Sequence, residues 1–320
     1  MYNIYSYTRM IADELRSGAY YQALKASITP ESVVVDLGAG VGFWGLVALE
    51  LGARQVYALD FSHLLHVGKQ IAAAHGWEQR IEFIQDFSTN VTLPERADVI
   101  IFDLHNELPF CHNGPAAIMD ARDRMLKPGG ALIPFRERVY GVLVESAAAY
   151  ADTVGFWEKP HYGLDMSAGR PFATDWIYTR RFAPDELLSD RALYTELDYR
   201  TLTDPNASAT VRFTAQRAGT AHGMQLWFES EMGAGARIVN APGAPETIFQ
   251  AAFIPWPEPV AMLAGDRAEI KLNMKNWKYE YLFECNCTFL SAEGSAKAEF
   301  RQSSLRHALP RLVGSRAEVL

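Results

Sequence analysis

The sequence predicts an α/β domain built on a parallel sheet, followed by an antiparallel β domain. Three observations predict it. Short apolar runs alternate with helical stretches up to about Phe135; beyond Pro134 the pattern changes to strands of period two broken by Gly, Pro and Asn. The composition, 49% hydrophobic and 12% aromatic over 320 residues, is that of packed globular domains. The division is placed at residues 1–134 and 135–320.

Each element follows from local pattern. Ile4, Tyr7, Ile11, Leu15, Tyr20 and Leu24 recur at roughly helical spacing and are stopped by Thr29 and Pro30, so two helices should lead the chain. VVVDL from Val33 and QVYALD ending at Asp60 read as short buried strands around a WGLVALELGA helix, and IEFIQD, ADVIIFDL and GGALIPF continue the alternation. Strands apolar on both faces belong to a parallel sheet of strand–helix–strand units. ERVYGVLVES, YTELDYRTL, SATVRFTAQR, GMQLWFES, AEIKLNMK and YEYLFECNCTF then alternate polar and apolar residues, as antiparallel strands do. The tail from Arg301 is given no structure.

A net charge of −8 argues against a nucleic-acid partner, whose phosphates need clustered Lys and Arg, and leaves a basic substrate open through steering. Cys111, Cys285 and Cys287 have neither metal-ligand spacing nor an even count, so no metal site and no disulfide framework are expected; Cys285 and Cys287 should share one face of a strand. The N-terminal stretch MYNIYSYTRMIADELR carries charges and no apolar signal core, and no apolar run is long enough to span a membrane. The expectation is a soluble cytoplasmic protein with no membrane partner.

Two motifs overlay the loop after Val35. Gly40, Gly42 and Gly45, with Asp60 downstream, fit a dinucleotide fingerprint; Gly38, Gly40 and Gly42 after Asp36 fit D-x-G-x-G-x-G. Asp36 separates them. A pyrophosphate on a helix N-terminus wants backbone N–H groups without a neighbouring carboxylate, whereas the aminoacyl end of S-adenosylmethionine carries an ammonium that a carboxylate would hold. The glycines let the backbone approach the cofactor and reach positive φ. Asp60, with Phe61 beside it, should accept both ribose hydroxyls. Asp86 could meet the adenine amino group and Phe87 stack on the ring, unless they are an ordinary loop acid and a core aromatic.

These residues carry a resemblance. From about Tyr5 to Phe289 the chain resembles the protein arginine N-methyltransferases: MIADELRSGAYYQAL, DLGAGVG, VYALD, LPERADVII, ARDRMLKPGGALIP and WEKPHYGLDMS stand in that family's order. The resemblance implies a Rossmann-type class I methyltransferase domain, then an antiparallel β-barrel-like domain with an inserted dimerisation arm. It implies that Met10 packs on the cofactor and Arg16 holds its carboxylate. It also implies a homodimer whose arm is about residues 150–179, rich in Trp157, Tyr162, Phe172, Trp176 and Tyr178; the alternative is that these aromatics are core.

The acceptor loop departs from that pattern. The family grips a guanidinium with two glutamates; laid against them without a gap, FDLHNELPFCHNGPAAIMDARDRML places Asp103 at the first, His112 at the second and Glu107 between. Two carboxylates make charge-assisted bidentate bonds to guanidinium, while a histidine offers one acceptor when neutral and repels when protonated. The family's Thr-His-Trp loop is replaced too, with Phe249 and Gln250 in that region.

Three readings stay open. His112 or Asp103 acts as general base on a nitrogen or oxygen other than a protein arginine, with Glu107 orienting the acceptor. Alternatively, Asp103 and Glu107 together clamp an arginine. Or the chain is a catalytically silent S-adenosylmethionine-binding structural or regulatory dimer. The acceptor would be a protein, a peptide or a small molecule. His105 and Cys111 receive no role.

Overall fold

The computed structural model describes residues 3–305 apart from Tyr279. Two helices lead, α1 (Ile4–Ala12) and α2 (Glu14–Ser27). Their starts are fixed locally: Asn3 Oδ1 accepts the Ser6 amide and Asp13 Oδ1 the Arg16 amide, each at 3.0 Å, so side-chain oxygens satisfy N–H groups that a helix start leaves open. Then come β1 (Val33–Leu37), α3 (Phe43–Glu50), β2 (Gln55–Asp60), α4 (Leu65–Ala74), β3 (Ile81–Gln85), β4 (Ala97–Phe102), α5 (Gly114–Met125) and β5 (Leu126–Ile133). The five strands pair in parallel in the order β3-β2-β1-β4-β5. Every residue of β1 is buried, which is why VVVDL has no polar alternation.

The chain continues with β6 (Arg136–Val144), α6 (Ala147–Thr153), α7 (Arg170–Thr174), β7 (Tyr178–Thr179), β8 (Ala192–Asp198), β9 (Ala207–Thr214), β10 (Gly219–Gly233) and β11 (Ala236–Val239). It ends with β12 (Ala252–Met262), β13 (Arg267–Trp277), β14 (Glu280–Leu290) and β15 (Ala296–Ser303). One antiparallel sheet runs β7-β12-β10-β6-β8, with β11 on β10; a second runs β15-β14-β13-β9. The tail from Arg301 thus opens with the end of β15, and its residues beyond 305 lie outside those described.

In β6, Val139 and Leu143 face the main core, which runs through both domains, while Val142 and Val144 face a smaller one with Trp227 and Phe253. Between β6 and β8 the chain leaves the sheets through α6 and α7, exposing Phe156, Tyr162, Leu164, Phe172 and Trp176. Cys285 and Cys287 share a strand face with their sulfurs 3.3 Å apart, and all three cysteines are free and buried. No helix among the described residues is long and apolar enough to cross a membrane.

The domains are joined by hydrogen bonds as well as by the shared core. Asp13, after capping α2, offers its other oxygen to the Ile248 amide at 2.6 Å. Gln22 donates to the Ala234 carbonyl at 3.0 Å, and Arg122 donates to the Tyr199 and Leu202 carbonyls at 2.9 and 2.7 Å.

Candidate active site

Leu37 of β1 lies opposite Phe102 of β4, so Gly38 and Asp103 leave the sheet from neighbouring strand ends. The strand order reverses between β1 and β4, and parallel sheets bind ligands at such a crevice. Gly38, Gly40 and Gly42 hold φ of 72°, 57° and 75°, the left-handed region that disfavours a side chain. Gly40 is also pressed from above: a Cβ there would stand 2.2 Å from the Tyr7 ring, so the glycine is what lets α1 lie on the loop. The Tyr7 hydroxyl titrates far above its usual range, through burial first and then the carboxylates of Asp60, Asp36 and Asp103.

The two acids of the loop are held differently. Asp60 accepts the Gly40 amide on Oδ2 and the Ser62 amide on Oδ1, both at 2.7 Å, fixing a carboxylate whose oxygens each keep a further lone pair. Asp36 is buried, and its Oδ2 accepts the Gly45 amide at 2.8 Å. Burial pushes the Asp36 carboxyl up to about 7, the Gly45 bond notwithstanding. Gly45, a glycine of the dinucleotide fingerprint, therefore gives its N–H to an acid, the arrangement least suited to a pyrophosphate. A glycine cradle that Cβ atoms would fill, a fixed acceptor for hydroxyls and a buried acid that a cation would ionise fit an aminoacyl nucleoside.

On the next strand ends, Asp60 and Gln85 are register partners, so Phe61 and Asp86 emerge side by side. Phe61 and Phe87 stack with centroids 5.4 Å apart and planes 20° from parallel, yet are 54% and 45% exposed. Asp86 caps the turn, accepting the Phe87 amide at 2.7 Å and Asn90 Nδ2 at 2.8 Å. Both rings belong to an open wall rather than to the core.

Arg16 is buried among aromatic rings, its guanidinium 5.2 Å from the Tyr20 centroid, 5.6 Å from Trp44 and 5.8 Å from Phe249. It donates Nε–H to Asp103 Oδ2 at 2.9 Å, a second N–H to the same oxygen, and a third to the Met10 carbonyl at 2.9 Å. The group that the resemblance assigns to the cofactor's carboxylate is thus anchored by Asp103 and Met10, with two of its five N–H groups outside those bonds. Met10 enters the site through its backbone carbonyl, with its side chain half-buried.

The three candidate catalytic residues have separate partners. Asp103 is held by Arg16 and by His105, whose Nδ1 lies 2.9 Å from Oδ1. Burial would raise the Asp103 carboxyl, but Arg16 and His105 outweigh it and hold it at about 2, which unsuits Asp103 as a base at neutral pH. Glu107 accepts the Thr179 hydroxyl instead of standing with Asp103 as a carboxylate pair. His112 is exposed on left-handed backbone, φ 47°, with its carbonyl accepting from Asn276, so it faces solvent.

Sequence reasoning passed over His105. It is buried, with Nε2 2.5 Å from Glu137 Oε1 opposite the Asp103 contact. Glu137 is fully buried and also accepts the Tyr199 hydroxyl at 2.5 Å and the Ser230 hydroxyl. Burial disfavours the His105 charge, but Glu137 and Asp103 outweigh it and lift the imidazole to about 10. One signal for Glu137 was available: it falls in the inward phase of β6, two residues before buried Val139.

Comparison with known proteins agrees with this architecture. Residues 34–130 match the family described as a methyltransferase domain, and residues 136–284 match the arginine methyltransferase oligomerization subdomain. The chain is 26% identical over 231 residues to the probable protein arginine N-methyltransferase 6 of Arabidopsis thaliana, covering 69% of this chain and 53% of that protein. It is 28% identical over 236 residues to protein arginine N-methyltransferase 6 of Xenopus tropicalis, covering 68% of each. Among solved structures, the Trypanosoma brucei PRMT1 enzyme-prozyme heterotetrameric complex with AdoHcy superposes with a TM-score of 0.82 at 19% identity, covering 93% of this chain and 97% of that one. Arabidopsis thaliana protein arginine methyltransferase 10, in an open conformation, gives 0.77 at 22% identity, covering 94% and 97%.

The fold and these matches make the chain similar to the class I S-adenosylmethionine-dependent methyltransferases, with a methyltransferase domain matched at residues 34–130. Within that class the similarity is to protein arginine N-methyltransferases, at 26% and 28% identity to the two relatives above and through the oligomerization subdomain matched at residues 136–284. The chain spans about half the length of the Arabidopsis relative.

Proposed function

We propose that the protein transfers the methyl group of S-adenosylmethionine to a nitrogen or oxygen of a protein, peptide or small-molecule acceptor. The observation that carries this reading is the site at the ends of β1 and β2: Asp60 fixed by the Gly40 and Ser62 amides, beside buried Asp36 under the glycine loop. Asp60 would receive the ribose hydroxyls, Phe61, Asp86 and Phe87 would line the adenine, and Asp36, Arg16 and the α1 turn at Met10 would enclose the aminoacyl end. When bound, the cofactor would supply an electrophilic methyl group on a sulfonium. The chain's own part is to orient the acceptor, because in-line displacement depends on positioning more than on a base. Asp103 serves this as an anchor for Arg16, and Glu107 is the acid left to orient an acceptor.

A cytoplasmic homodimer completes the reading. It is supported by the free cysteines, as in reducing compartments, and by the exposed aromatics between β6 and β8, which a second copy would cover. A monomer in sedimentation would remove the dimer.

The test is calorimetric titration with S-adenosylmethionine, S-adenosylhomocysteine and NAD, then methyl transfer to arginine peptides, small guanidines, amines and hydroxyl compounds. Binding of the first pair and transfer to one acceptor class are expected. Binding of NAD, or of nothing, would overturn the reading; cofactor binding without any transfer would leave a silent binding protein.

A further inference from the structure

Asp103 leaves the parallel sheet, while Glu137 and Phe228 belong to the antiparallel domain, and His105 lies between them. The imidazole has a carboxylate oxygen at each nitrogen, Asp103 Oδ1 at 2.9 Å and Glu137 Oε1 at 2.5 Å. The Phe228 ring stacks on it with centroids 5.0 Å apart and planes 15° from parallel, and Phe249 meets it edge-on at 5.5 Å. A carboxylate oxygen at each ring nitrogen and an aromatic ring stacked on the face are the chemistry that recognises a planar cation. A neutral imidazole can donate from one nitrogen; ionised carboxylates at both require both to be donors, hence an imidazolium.

Charge balance supports this. Arg16 and His105 are the cations and Asp103 and Glu137 the anions of one buried chain of contacts, whose formal charges cancel. The His105, Asp103 and Glu137 side chains are 2%, 7% and 0% exposed. Buried ionised groups persist only when so paired. Deleting the imidazole would leave two carboxylates against one guanidinium, with a cavity of imidazole shape between them.

We infer that His105 is a built-in cation filling a carboxylate and aromatic cage at the domain junction, and that it closes this cage to the guanidinium of a methyl acceptor. The inference rests on the methyltransferase reading only for the word acceptor. His105 is a specificity-determining positioning residue: the acceptor must be met outside the cage, on the side of Glu107.

The test uses the full chain and His105→Gly. Thermal unfolding is followed with imidazolium or methylguanidinium chloride, and with tetramethylammonium and sodium chlorides as controls. The variant is expected to melt below the wild type and to be raised saturably by the planar cations beyond the controls, while the wild type makes no such distinction. Equal responses of the two proteins, or a variant blind to planar cations, would overturn the inference. Should His105→Gly fail to fold, spectra of isotope-labelled histidine in the wild type decide: both ring nitrogens protonated at about pH 8 support the cage, and a neutral ring overturns it. Titration of the wild type with S-adenosylmethionine is run alongside, so that failure of the methyltransferase reading is seen separately from failure of the cage.

Discussion

Arg16 and Asp103, 87 residues apart in sequence, form a buried ion pair with Nε 2.9 Å from Oδ2, tying α2 to the end of β4. The start of α2 and the loop that leaves β4 are therefore one electrostatic unit.

Asp103→Asn should be strongly destabilising, because it leaves Arg16 and His105 facing a neutral amide in a dry environment. Removing one partner of a buried pair costs about 3–5 kcal/mol, readable as a lower urea midpoint at unchanged slope. The pH dependence has a definite sign. With the folded Asp103 carboxyl at about 2, below its ordinary 3.8, its contribution is present above about pH 4 and lost as pH falls toward 2. An acid limb unchanged in the variant would refute the assignment.

Asp36 makes the opposite contribution. Its carboxyl is raised to about 7 from 3.8, so between those values the folded state holds a proton that the unfolded chain has released, and stability falls as pH rises through this window. An ammonium brought beside it would ionise it. Binding of S-adenosylmethionine at about pH 6 should therefore release a proton, seen as a calorimetric enthalpy that varies with the buffer's ionisation heat. Asp36→Asn should abolish that variation and weaken binding by about tenfold, equivalent to about 1.4 kcal/mol. A buffer-independent enthalpy in the wild type would place the ammonium elsewhere.

Gly40 and Gly18 offer an internal contrast. An alanine at Gly40 meets both a φ of 57° and the Tyr7 ring, so Gly40→Ala should displace α1 from the loop and destabilise by about 1–3 kcal/mol, with loss of cofactor affinity. At Gly18, inside α2, a Cβ has nothing within 4 Å, so Gly18→Ala should stabilise by about 0.5–1 kcal/mol. The two melting curves should move in opposite directions; a shared direction would contradict the packing of Tyr7 on the loop.

The difference between what the sequence shows and what it hides is physical. VVVDL and ADVIIF read as strands because a parallel sheet buried on both faces demands unbroken apolar runs, and the glycine loop was legible because its backbone cannot carry side chains. AFIPWPEPVAM was not read as β12, since Pro255, Pro257 and Pro259 each lack a ladder donor; it pairs with β10 through a register shift and with β7 along a short stretch. His105 carried no local signal, because its partners Asp103 and Glu137 come from different domains. His112 held the expected alignment position and still faces solvent, because a gapless alignment fixes order along the chain and not the direction of a side chain in a turn.

Phe61 and Phe87 test the adenine wall with little confusion from folding. Each leaves about half of its surface in water, so truncation removes little buried area and should change stability by less than about 1 kcal/mol. A nucleobase on an aromatic face is worth about 1–3 kcal/mol, so Phe87→Ala should weaken S-adenosylmethionine binding by about tenfold or more while Tm barely moves. Phe87→Tyr keeps the face and should bind like the wild type. The same pair of titrations on Phe61 separates a ring that touches the base from one that only supports its neighbour: Phe61→Ala would then lose less affinity than Phe87→Ala. Unchanged affinity in both alanine variants would mean that the adenine does not lie against this wall.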